Sequence, residues 1–137
     1  MIHVTYLEIK EAFRKHRQRK YSSSSFTITD KMVLFYTVEC GLKALFMKKH
    51  NLKKTDQANS HGENAARFGH DLNKLLKKNG FSSYNVPEIK AKDSTHIPAK
   101  SLHEVWRYGK TEIETSTEQK CLEELDKILK ELKEKLG

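Results

Sequence analysis

The chain has 137 residues, enough for one domain with a substantial core, and its hydrophobic fraction of 36% is low but concentrated in segments. No segment reaches the roughly 18 apolar residues that a membrane span needs, and the N-terminus lacks the basic start and apolar block of a signal peptide. Proline is scarce and no long run alternates in the manner of a strand. These features predict a single all-α domain over residues 1–137.

The two cysteines, Cys40 and Cys121, lie far apart in the sequence. Both fall on predicted apolar helix faces, which favours buried free thiols and predicts a cytoplasmic location. No histidine or cysteine pair has the spacing of a zinc site, and no phosphate-binding loop or dinucleotide motif is present. We therefore expect no metal and no other cofactor.

The positive charge is concentrated in the first part of the chain. Residues 1–55 hold 12 Lys and Arg against 4 Asp and Glu, a net charge of +8, whereas residues 56–137 hold 14 of each. Basic clusters can contact phosphates without sequence preference. The alternative is a solvated helix end whose cations complement the helix dipole. The predicted phosphate-binding residues are Arg14, Lys15, Arg17, Arg19 and Lys20.

In chain order, the periodicity predicts a first helix that ends in this basic cluster and is followed by a serine-rich break. The second helix begins after Thr27 and Asp30, which have capping-box spacing. Asn79-Gly80 is a stop signal for the third helix. Four main helices and one short helix predict an antiparallel four-helix bundle with an extra short helix. The predicted helices cover about residues 5–20, 30–50, 63–78, 102–108 and 115–136.

The second helix contains the most informative stretch of the chain, Met32 to Met47. It is apolar on almost every side, which predicts a buried central helix, yet it carries Glu39 and Lys43 four residues apart. Buried charges are costly unless they are paired. The two residues are therefore either a self-satisfying core pair that specifies packing, or part of a polar functional site.

Three segments resemble one family. The segment 36–46, YTVECGLKALF, is similar to the second helix of HEPN domains, the "higher eukaryotes and prokaryotes nucleotide-binding" group. The segment 69–76, GHDLNKLL, resembles the His-Asp-Leu-x-x-Leu that opens their third helix. The segment 106–109, WRYG, resembles the Arg-Tyr-Pro near the start of their last segment, with Gly109 in place of the proline.

The resemblance implies a small, HEPN-like helical bundle that forms a homodimer. Many HEPN domains are metal-independent ribonucleases of prokaryotic toxin–antitoxin and defence systems, and others bind nucleotides or act as inactive partners. The family's ribonuclease motif, an arginine followed after four to six residues by a histidine, is absent from this chain. A different set of residues could act instead, with arginine binding a phosphate, histidine exchanging protons, and Arg107, Tyr108 and His70 acting on phosphate or sugar. The residues that would have to converge in the bundle are Glu39, Lys43, His70, Asp71, Arg107 and Tyr108.

Several of these residues have simpler interpretations. Asp71 is either a helix cap or part of the site, and Trp106 is most simply a core anchor. The remaining histidines considered, His61, His96 and His103, are predicted to lie on the surface. Two hypotheses follow. One is an RNA- or nucleotide-directed effector, and the other is a non-catalytic module that dimerises or binds a partner protein such as a nucleotidyltransferase-like component.

Overall fold

The computed structural model describes residues 3–17, 27–110 and 112–136. Within them the fold is mostly helical, as predicted, with one small antiparallel sheet that was not predicted. None of the described helices combines the length and hydrophobicity needed to cross a membrane. The elements are α1 (Tyr6–Arg17), α2 (Ile28–Lys49), α3 (Leu72–Lys78), β1 (Ile89–Lys90), β2 (His96–Ile97), α4 (Leu102–Arg107) and α5 (Thr115–Leu136).

The central element is α2, in agreement with its apolar sequence. It begins with the predicted capping box: the Thr27 hydroxyl accepts from the Asp30 backbone N–H at 3.1 Å, and the Asp30 carboxylate accepts from the Thr27 N–H at 3.0 Å. The helix α2 contacts all four other α-helices. Because it is covered on several sides, it needs apolar residues around most of its circumference.

Both α1 and α5 pack closely against α2 at Gly41. A Cβ atom at this position would lie 2.8 Å from Cδ1 of Leu132 on α5 and 2.9 Å from the ring of Phe13 on α1. Only a residue without a side chain lets both neighbours pack there. The core extends from this crossing along α5, whose apolar positions Leu125, Ile128 and Leu132 are buried.

The third predicted helix is shorter than expected. Residues 63–78 do not form one helix; a 3-10 helix at Ala65–Phe68 is followed by a break, and α3 covers only Leu72–Lys78. Gly69 has a φ of 54°, a left-handed conformation that interrupts the helix. Asp71 then caps α3, as one of its two interpretations predicted, by accepting from the Lys74 N–H at 3.2 Å.

The segment after α3 places the short helix α4 against α2. The strands β1 and β2 pair antiparallel, with Ile89 opposite Ile97. Trp106 on α4 is 2% exposed, which confirms it as a core anchor. Its indole Nε1 donates to Glu118 Oε2 at 3.1 Å, and Glu118 Oε1 is paired with Lys31 Nζ at 2.7 Å. This polar chain links α4, α5 and α2.

Candidate functional site

Glu39 is the centre of a polar cluster that consists of Glu39, Lys43, His70 and His103. Its Oε2 lies 3.1 Å from Lys43 Nζ, and its Oε1 lies 2.5 Å from His70 Nδ1. Glu39 is buried and the Lys43 side chain is only 13% exposed. The predicted pair therefore exists, but it is not self-contained, because a histidine 31 residues away in the sequence joins it.

His70 owes its position to the break before α3. It follows the left-handed Gly69 and precedes the capping residue Asp71, so it lies in a turn rather than on a helix face. Glu39 fixes one ring nitrogen, Nδ1, and thereby the orientation of the imidazole. The side chain remains 41% exposed, which leaves the ring accessible to a substrate.

His103 was predicted to lie on the surface, and this prediction is wrong. It is 7% exposed on α4. Its ring lies beside that of His70, with 3.9 Å between centroids and 37° between planes. Phe35 of α2 completes the surroundings, 5.7 Å from the His103 ring. The Nδ1 atom of His103 is buried and has no hydrogen-bond partner among the described residues. His61 and His96 are exposed, as predicted.

Arg107 brings a positive charge to the C-terminal end of α4. It lies four residues after His103, so the two side chains are neighbours on one helix face. Arg107 is exposed and makes no ion pair with any described residue; its guanidinium carbon lies 5.5 Å from the centroid of the Tyr108 ring. The Tyr108 residue is 74% exposed. The fold therefore leaves both side chains free to contact a ligand.

Two ionisable groups in or beside this cluster have altered acidity. Burial lowers the pKa of His103, and the neighbouring His70 lowers it further. Burial raises the pKa of Tyr36, while the charge of Arg107 acts in the opposite direction. Tyr36 lies beside His70, with 6.0 Å between ring centroids. Both shifts favour the neutral side chain at neutral pH.

The cluster borders a small cleft on its other side. The cleft has a volume of about 260 Å³ and is lined by residues from α1, α2 and the loop before α3, including Glu39, Lys43 and His70. Cys40 also lines it, but burial raises the pKa of its thiol to about 11, so the thiol stays protonated. Both cysteines are free thiols; Cys121 is fully buried, as predicted, whereas Cys40 is only partly buried.

Only some of the predicted phosphate-binding residues belong to the part of the chain that the structure describes. Arg14 and Lys15 are exposed on α1, and Arg17 is the last residue of that helix. Arg19 and Lys20 fall outside the described residues. The residues that contact one another in the polar cluster come from α2, α4 and the turn before α3. Lys15 of α1 is not among them.

The cluster offers the groups that proton transfer and phosphate recognition require. A carboxylate orients one imidazole, the ring of a second imidazole lies beside it at a tilt, and a guanidinium without an ion-pair partner among the described residues lies one helical turn from the second imidazole. Among the described residues, no group of three or more His, Cys, Asp or Glu side chains is arranged to hold a metal ion.

Comparison of the chain with protein-family models, with curated proteins and with solved structures gives no match.

His103 predicts a specific pH dependence of stability. Its pKa is lowered in the folded state, so the unfolded chain binds more protons once the pH falls below the ordinary histidine value of about 6.5. Protonation then favours unfolding. The charged and titratable groups that act on it are His70, Glu104, Glu39 and Arg107.

We expect the native protein to lose more stability than a His103→Gln variant when the pH is lowered from 7.5 to 5.5. Urea unfolding of both proteins at the two pH values measures this difference. Identical losses in the two proteins would show that His103 is not held neutral by its surroundings.

Proposed function

We propose that the protein is a HEPN-like domain, an antiparallel four-helix bundle in its overall plan, that cleaves RNA without a metal ion. In this proposal it acts as a cytoplasmic homodimer in a prokaryotic defence or toxin–antitoxin setting. The observation that carries the proposal is the adjacent pair of imidazole rings, His70 and His103, with His70 oriented by Glu39 and with Arg107 on the same helix as His103.

The proposed reaction is an intramolecular transesterification. His70 accepts the proton of a ribose 2′-hydroxyl, and the 2′-oxygen forms a bond to the adjacent phosphorus. The bond from phosphorus to the 5′-oxygen breaks, and that oxygen takes a proton from the Tyr108 hydroxyl. Arg107 stabilises the charge that develops on the phosphoryl oxygens. Glu39 stabilises the imidazolium that forms on His70.

The arrangement on α4 bears on the missing family motif. The chain has no arginine followed by histidine at the expected spacing, but it has the reverse order, His103 and then Arg107. On a helix, residues four apart are neighbours whichever comes first. In the proposed reaction the arginine is Arg107, but the histidine that acts is His70, supplied by the turn before α3, and His103 lies beside it.

The Arg107→Ala variant tests this proposal. We expect it to cut RNA about 10² to 10³ times more slowly than the native protein, because a lost cationic or hydrogen-bond donor to the transition state has about that effect. The assay incubates mixed tRNA and mRNA with each protein in EDTA and separates the products on a denaturing gel.

The matched control is Lys110→Ala, which removes an exposed positive charge near the same helix. It should cut at the native rate. If the native protein leaves RNA intact, or if Arg107→Ala cuts as fast as the native protein, the proposed activity is wrong.

One observation favours a non-catalytic module as the second candidate. Both carboxylate oxygens of Glu39 are satisfied within the chain, by Lys43 and His70, as expected of a device that specifies core packing. Such a module would dimerise or bind a partner protein such as a nucleotidyltransferase-like component. It predicts no RNA cleavage in any lane of the gel, and a pull-down with proteins encoded nearby would then replace the cleavage assay.

A further inference from the structure

A second, larger cleft lies next to the turn that holds His70. It has a volume of about 560 Å³ and lies between the 3-10 helix and α3. The net charge of this part of the sequence gave no indication of the cleft, because the charges of residues 56–137 sum to zero. Its lining residues are His61, Glu63, Arg67, Phe68, Lys74 and Lys78.

The cleft has an excess of positive charge. Lys78 is neutralised by Glu63, with 2.7 Å between Nζ and Oε2, and the same contact lowers the pKa of Glu63. Arg67 and Lys74 are exposed, and neither makes an ion pair with any described residue. The helix α3 contains no acidic residue. Two cations without an ion-pair partner among the described residues therefore line this opening.

The position of Lys74 is not explained by the fold. Its backbone N–H donates to the Asp71 carboxylate, a contact that does not need the lysine side chain. Its Nζ lies 5.9 Å from the centroid of the Phe68 ring, a weak contact at this distance. Phe68 itself is 5% exposed, so it cannot stack on a base. The cleft therefore suits phosphate groups rather than nucleobases.

A very short segment of chain connects Arg67, which lines the cleft, to His70 in the polar cluster. Arg67 and His70 are three residues apart, so their Cα atoms are separated by at most about 11 Å. Each strand of a duplex carries one charge per about 3.4 Å of axis, and at that spacing this distance spans about three nucleotides. A strand with its reacting ribose at His70 would carry neighbouring phosphates past Arg67 and Lys74.

We infer that this cleft binds backbone phosphates of single-stranded RNA, within about three nucleotides of the position that reacts at His70. Arg67 and Lys74 are the binding residues, and Lys78 is held in place by Glu63. The inference rests on the proposed function, because it extends the path of the same RNA strand. It assigns RNA binding to a region other than the basic residues of α1.

The test compares the native protein with Arg67→Gln/Lys74→Gln. A fluorescent 2′-O-methyl RNA of about 20 nucleotides serves as the probe, because it lacks the hydroxyl that the proposed reaction consumes. Each phosphate contact with a single strand contributes a salt exponent of about 0.7, or about fivefold in affinity at 0.1 M salt. The double variant should therefore bind about 25-fold more weakly, and its plot of log Kd against log salt should be shallower by about 1.4.

The matched control is Lys120→Gln/Lys127→Gln, which removes two exposed lysines from α5 and gives the same net charge. It should bind RNA with less than a threefold change. If both double variants bind equally well, the cleft is not the binding site, whatever the cleavage assay shows. A native protein that cleaves RNA but whose affinity does not depend on Arg67 and Lys74 would overturn this inference and leave the proposed function intact.

A further arm distinguishes RNA phosphates from free phosphate. Inorganic phosphate is added in exchange for chloride at constant ionic strength. We expect the RNA affinity to stay within twofold, because two exposed cations bind a polyanion far better than a single ion. Strong displacement by inorganic phosphate would identify a small-anion site and overturn the inference. A native protein that does not bind the RNA at 0.05 M salt would overturn both this inference and the proposed function.

Discussion

Replacing Glu39 with alanine is expected to lower the free energy of unfolding by about 3–5 kcal/mol, the effect of removing one member of a buried ion pair. The variant leaves the ammonium of Lys43, whose side chain is 13% exposed, without its partner. It also removes the carboxylate that holds His70 Nδ1. Urea denaturation monitored by circular dichroism measures the change.

A double variant, Glu39→Leu/Lys43→Leu, separates the charge effect from packing. Replacing both charges with apolar residues of similar size is often neutral for stability, so we expect it to be within about 1 kcal/mol of the native protein. It keeps the fold but leaves His70 unoriented. Under the ribonuclease proposal its cleavage rate falls despite native stability. A Glu39→Ala protein as stable as the native one would rule out the cluster as a buried polar centre.

Replacing Trp106 with alanine is expected to cost about 3–5 kcal/mol of stability, the range for truncating a large buried aromatic residue. The ring is 2% exposed and lies 6.2 Å from the Phe35 ring, measured between centroids. Because Trp106 lies between His103 and Arg107 on α4, its loss should also loosen the helix that carries both. Chemical denaturation gives the stability.

Trp106→Phe is the matched control for this prediction. It retains most of the ring but removes the indole N–H, which leaves Glu118 Oε2 without its donor at 3.1 Å. We expect a loss of about 1–3 kcal/mol, the cost of one unsatisfied buried acceptor. A loss below about 1 kcal/mol in the alanine variant would show that α4 is not anchored through this residue.

The sequence alone predicted the features that depend on contacts between residues close together in the chain. The start of α2 follows from Thr27 and Asp30, because a capping box is a contact between residues three apart. The central position of α2 follows from its lack of a polar face. The pairing of Glu39 with Lys43 follows from helical spacing, and the structure confirms it.

The break in the third helix was missed because the apolar spacing of Phe68, Leu72 and Leu75 continues through it. The signals were nevertheless present: Gly69 is suited to end one turn and Asp71 to begin the next helix. This error matters for the site, since it is the break that turns His70 toward Glu39. The role of Gly69 lies in its conformation, which periodicity does not register.

His103 and the cleft were missed for a different reason, because each depends on contacts between distant segments. His103 is buried by α2 and by the ring of His70, 33 residues earlier in the chain. The charge of the cleft is local to α3 and the turn before it, and it cancels when summed over 56–137. One sign was present in the sequence. His103 lies three residues before Trp106, so helical spacing places both residues on the same, buried side of α4.

The central position of α2 also determines how the protein opens. Its middle packs against the other four helices, so we expect the amides there to exchange with water mainly when the whole domain unfolds. The hairpin of β1 and β2 has only two residues in each strand, so we expect it to open at lower cost. We therefore expect the amide of Glu39 to be among the most slowly exchanging of the described residues, so that a rigid base supports a histidine carried on a turn.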